Sequence, residues 1–137
     1  HKTVLLNHLA RLFCNKQILF VGFNIAGDLT KLQKDFPKFD FGVPQLFDLG
    51  WWNIYRGLLE HRKGGHTLDA AVEIILKKVV PKKIHLRRSD VWTRSGLLGQ
   101  EARMYLARDV EGSLLIYDKT KDLPDLSKRL TKIELTK

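Results

Sequence analysis

Hydrophobic positions recur along the chain in two different periods, and the alternation between them predicts the elements. In residues 3–13 (TVLLNHLARLF), Val4, Leu5, His8, Leu9 and Leu12 fall at helical spacing. Residues 18–23 (ILFVGF) form a continuous apolar run rich in β-formers, the pattern of a buried strand. Asn24 to Gly27 read as a turn braced by the Asn24 side chain. Asp28 to Phe36 then read as a short helix with Leu29 and Leu32 inward. Pro37 and Pro44 bracket a loop, residues 45–50 (QLFDLG) predict a second strand, and Trp51 to Glu60 predict a helix.

After a glycine-containing loop at 62–65, Thr67 stands where an N-cap belongs, ahead of a helix over 68–78. Residues 81–97 read as a basic loop. Residues 98–119 carry the longest helical pattern, with Gly112 predicted to break it in two, and Pro124 opens a charged tail. This order of strands and helices predicts the α/β class, with too few strands for a self-sufficient sheet. No internal repeat and no low-complexity tract is present.

Composition narrows the classes. The 137 residues are 44% hydrophobic and 28% charged, the balance of a globular chain of one domain. No apolar run is long enough to span a membrane, so no membrane partner is expected. The single cysteine, Cys14, excludes an internal disulfide framework, and a reducing intracellular setting, nuclear or cytoplasmic, is expected. The net charge is +9, and residues 77–94 hold seven basic side chains against one acid. Such a cluster suits a polyanion, nucleic acid being the commonest, and equally suits a solvated loop or an import signal.

Two short constellations carry candidate chemistry. Asp28 follows the first strand, at the rim where ligands gather in α/β folds, although it could simply be a first-turn acid of the next helix. Tyr105 and Asp109 lie four apart on the long helix and so share a face, where a carboxylate could hold a hard divalent cation; a core aromatic and a surface acid fit the same spacing.

Taken in order, VGFNIAGDLTKLQKDF, FDL, HTLDAAVEIIL, RRSDVW and ARMYLARDVEGSLLIY resemble the DEDDy class of 3′–5′ exonuclease domains, in the branch of the Werner syndrome helicase exonuclease and ribonuclease D. The resemblance covers roughly residues 4–118. It implies a ribonuclease H-like exonuclease fold for residues 1–118, followed by a basic tail at 119–137. It also implies two-metal phosphodiester hydrolysis with Mg²⁺ or Mn²⁺, acting on DNA or RNA 3′ ends beside a helicase or other nucleic-acid-processing module. On that pattern Asp28 and Asp109 are metal ligands and Tyr105 positions the attacking water. Asn24, in the second motif, would contact the nucleic acid, and Lys82, Lys83, Arg87, Arg88 and Arg94 would grip phosphates. Trp92 could stack on a base or anchor its loop to the core. Asp48, in FDL, matches a structural strand-end element, and Trp51 with Trp52 is expected to serve core and partner surface.

The resemblance also exposes a gap. The family's first motif, Asp-x-Glu on the opening strand of the sheet, should precede the helix at 3–13, and nothing there matches it. The only Asp-x-Glu is Asp109-Val110-Glu111, inside the third motif. Two of four carboxylates and the strands that carry them are therefore missing. With His1 as the first residue, the expectation is a fragment of a longer exonuclease, inactive by itself. The alternative is a non-catalytic nucleic-acid-binding or scaffold domain on the same fold. Between Trp92 and Tyr105 the segment TRSGLLGQEARMY also lacks the proline usual in the family.

Overall fold

The structure, a computed structural model, describes residues 1–60, 67–80, 90–93 and 97–123. Their order is α1 (Lys2–Cys14), β1 (Leu19–Gly22), α2 (Ile25–Asp35), β2 (Gln45–Asp48), α3 (Leu49–Tyr55), α4 (Leu68–Leu76), a single 3₁₀ turn (Asp90–Trp92) and α5 (Gln100–Thr120). β1 and β2 pair in parallel, Leu19 opposite Gln45 through Gly22 opposite Asp48, with α2 as the connection that parallel strands require. The class is thus α/β, with a two-stranded parallel sheet among the described residues. No described helix is long and apolar enough to cross a membrane.

Alternation along β1 sends neighbouring side chains to opposite faces. Phe20 meets Phe13 of α1, with ring centroids 4.8 Å apart, and Phe13 in turn meets Phe41 edge-on at 6.0 Å. Val21 packs on the other face against the main core of Leu49, Ile54, Leu59, Ala71, Val72 and Ile116. Phe47, Trp52 and Tyr117 join that core as an aromatic cluster, Phe47 lying 4.4 Å from Trp52 and 6.0 Å from Tyr117. The apolar run of β1 is less enclosed than its composition predicts. Leu19 is exposed and the other three residues are half-buried, because β2 is its only described strand neighbour.

Several element ends have local causes. β2 stops at Asp48, two residues short of the predicted end. There its carboxylate accepts from the Gly50 and Trp51 amides at 3.0 and 3.1 Å and caps α3. α3 ends at Tyr55 rather than running to Glu60. Gly57 takes φ = 73° and donates to Ile54 O, and the Leu58 amide donates to Asn53 O, a Schellman closure that a left-handed glycine permits. Thr67 caps α4 by accepting from the Ala70 amide at 3.2 Å. That helix ends at Leu76, where Lys77 is left-handed, two residues before the predicted limit.

The predicted break at Gly112 does not occur: α5 runs unbroken from Gln100 to Thr120. Gly112 instead faces α4, and a Cβ there would lie 3.3 Å from Val72 Cγ2 and 3.6 Å from Leu68 Cδ1. The missing side chain serves close helix packing, and one glycine inside a long helix costs only about 1 kcal/mol. Most of the expected basic tail, residues 124–137, lies outside the described residues.

Candidate functional site

The two strands end side by side, and the chain leaving each supplies one acid. After Gly22 the backbone turns through Asn24, the N-cap of α2, in the left-handed region at φ = 54°. The predicted side-chain brace is not made. The Asn24 carbonyl, not its amide group, closes the turn by accepting from the Gly27 and Asp28 amides at 3.0 and 3.3 Å. The Asn24 side chain lies over Gly27, where a Cβ would come within 2.8 Å of Nδ2. Asp28 follows in the first turn of α2, exposed, where the helix dipole favours a carboxylate.

Asp109 arrives from a distant part of the chain. α5 touches β1 and packs along α4 through Gly112, which brings Asp109, half-buried, to the cavity wall it shares with Thr67 and Leu68. Ser113, one turn on, donates to the Asp109 carbonyl at 3.0 Å. Asp28, Asp48 and Asp109 together line one cavity of about 810 Å³ at the carboxyl ends of the strands, where α/β folds place their ligands. Its other walls are Val21 to Ile25, Gly50, Trp51, Ile54, Val110, Ser113 and Leu114, so acids meet an apolar surface.

The donor set is incomplete for a metal pair. Asp48 Oδ1 is engaged by two amides of α3, as its strand-end role predicts. Among the described residues no group of three or more His, Cys, Asp or Glu side chains is placed to hold a metal ion. Two carboxylates do not fill the six-coordinate oxygen shells of two hard cations, so these residues alone do not fit the two-metal group that the sequence resemblance implies.

The remaining predicted residues fall in three places. Asn24 lines the cavity. Tyr105 is not among the lining residues: its ring lies 6.0 Å from that of Trp92, and it borders a small hollow with Glu101, Met104 and Arg108. Trp92 therefore rests on α5 while remaining 37% exposed, part anchor and part surface. Lys82, Lys83, Arg87, Arg88 and Arg94 lie outside the described residues. Of the Trp pair, Trp52 enters the core and Trp51 borders the cavity. Thr67 and Ser113 also line it; neither was singled out for that role by the sequence, and only Ser113's spacing of four from Asp109 could have suggested it.

No family model matches the chain, and no curated protein matches it. Among solved structures it is similar to the EXD2 exonuclease domain soaked in Mn, with 25% identity and a TM-score of 0.37, covering 90% of this chain and 59% of that one. The same domain soaked in Mn and Mg gives 25% and 0.37, covering 91% and 59%. Soaked in Mn and dGMP it gives 26% and 0.33, covering 85% and 53%. The chain spans less than two thirds of the length of these similar structures.

Proposed function

We propose that the cavity is part of the catalytic corner of a 3′–5′ exonuclease domain of ribonuclease H-like architecture, in the DEDDy class. The observation that carries this reading is the convergence of Asp28 and Asp109 on one cavity at the carboxyl ends of parallel strands. In a longer protein, an Asp-x-Glu strand added to the edge of β1 away from β2 would bring the two further carboxylates. The exposed apolar side chains of the cavity wall, Val110 and Leu114 at 61% and 51%, leave apolar surface that a further element could cover. Hydrolysis with Mg²⁺ or Mn²⁺ belongs to that completed site and not to residues 1–137 alone.

Within this reading Asn24 borders the substrate space, and the basic side chains Lys82, Lys83, Arg87, Arg88 and Arg94 contribute phosphate contacts. Tyr105, one turn before Asp109 on α5, takes the place beside the attacking water. DNA or RNA 3′ ends are the substrates, and a helicase or related module is the expected neighbour. The alternative reading is a non-catalytic nucleic-acid-binding or scaffold domain on the same fold.

The two are separated by incubating the full-length parent protein with 3′- and 5′-labelled strands in Mn²⁺ or EDTA. The nuclease reading expects shortening from the 3′ end in Mn²⁺ only, lost in Asp109→Asn. Binding without shortening, in a parent that carries Asp-x-Glu, supports the second reading and overturns the first.

A further inference from the structure

We infer that Trp51 and Tyr55 form a stacking surface for the bases of a single-stranded polynucleotide at the mouth of the carboxylate cavity, a subsite that rests on the nucleic-acid reading above. The two residues stand one turn apart on α3, with ring centroids 6.2 Å apart and planes inclined by 31°. Trp51 lines the cavity that holds Asp28 and Asp109. Both rings meet solvent, Trp51 at 45% and Tyr55 at 61% exposure, whereas Trp52 between them turns inward onto Phe47 and Tyr117. α3 thus carries one aromatic face for the core and a second, solvent-facing one that starts at the cavity with Trp51 and runs outward to Tyr55.

The electrostatics of the cavity call for a contact of this kind. A polyanion approaching Asp28 and Asp109 is repelled by them at short range, although the chain's +9 charge attracts it at longer range. Stacking is insensitive to that local repulsion, and it accepts any base because every base has a π-face. A site that shortens strands of any sequence needs that tolerance. Each ring is expected to contribute roughly tenfold in affinity.

The test compares an oligothymidylate with an abasic strand of equal length and charge. Binding to the 137-residue chain is followed by fluorescence anisotropy in EDTA, so that nothing is hydrolysed. The native chain should prefer the base-bearing strand by roughly a hundredfold, the product of the two rings. Trp51→Ala and Tyr55→Ala should each pull that ratio towards one and leave abasic affinity unchanged, while Trp51→Phe keeps most of the preference. Circular dichroism checks that the variants fold, and the two positions report independently. No base preference in the native chain, or an unchanged ratio in both alanine variants, overturns the proposal. So does a change in oligomeric state alone, which would assign the rings to a protein contact. Base preference in a parent that never shortens strands leaves the subsite standing and defeats the nuclease reading; shortening with an unchanged ratio does the reverse.

Discussion

Gly112 of α5 lies against Val72 of α4 so closely that a Cβ on the glycine would stand 3.3 Å from Val72 Cγ2. That approach sets the depth at which α5 seats, and Asp109 is three residues away on the same helix. The position of one acid of the cavity therefore depends on a side chain that is absent.

Gly112→Leu should destabilise the chain by about 1–3 kcal/mol, because a branched side chain must displace Val72 and Leu68 in a packed interface. Gly112→Ala gains helix propensity of up to about 1 kcal/mol and sets it against a tight contact, so it should fall near neutral. Urea denaturation of both variants measures the difference. Equal stability for Leu and Ala would show that α4 and α5 are not closely packed at this point.

The caps of α3 and α4 should be separable from the cavity's chemistry. Asp48→Ala removes the acceptor of two α3 amides and Thr67→Ala removes that of the Ala70 amide, each costing about 1 kcal/mol. Asp48→Asn keeps an acceptor in the same place and should recover most of the loss. A full loss in Asp48→Asn would mean that the charge of Asp48, rather than its hydrogen bonds, holds the strand end.

Arg56 is 2% exposed, lies 4.1 Å over the Trp52 ring and donates through Nη1 to the Thr120 carbonyl at the end of α5. Its Nη2, like Asn53 Oδ1, is buried with no hydrogen-bond partner among the described residues. The carbonyl end of α5 supplies partial negative charge that offsets the buried guanidinium. Arg56→Ala should cost about 2–4 kcal/mol, from the lost charged hydrogen bond and the lost ring contact. Arg56→Met, which restores volume but not the bond, should fall between the two in thermal denaturation. A negligible loss in Arg56→Ala would remove the clamp between α3 and α5.

Divalent cations should stabilise residues 1–137 only weakly. With Asp48 engaged in capping, Asp28 and Asp109 alone should bind Mn²⁺ at the weak end for carboxylate sites, with a Kd of ~1 mM, which at ~1 mM cation adds about 0.4 kcal/mol. Removal of the metal by EDTA should then leave the midpoint almost unchanged. A gain of about 2 kcal/mol or more would require a tighter site and show that the chain holds a fuller donor set than these two acids.

Local physics made much of the framework legible. The apolar runs of β1 and β2, the periodicity of α1 and the Thr67 cap each depend on a few adjacent residues, and the structure places all four within a residue or two of expectation. Gly112 was misread because helix propensity sees only its own element, while the reason for the glycine sits on α4. The Asn24 brace failed for a similar reason: the turn is closed by a backbone carbonyl, which every residue type carries and no residue letter reveals.

By itself, the sequence determined the alternation of strand and helix, the excess of positive charge and the acids that could matter. Only the tertiary structure decided that Asp28 and Asp109 share a cavity, that Tyr105 rests against Trp92 and that Trp51 and Tyr55 turn outward. Periodicity and caps are short-range properties, written within one turn or one strand. Convergence of distant side chains depends on how α5 packs on β1 and against α4, which is settled by the whole core at once.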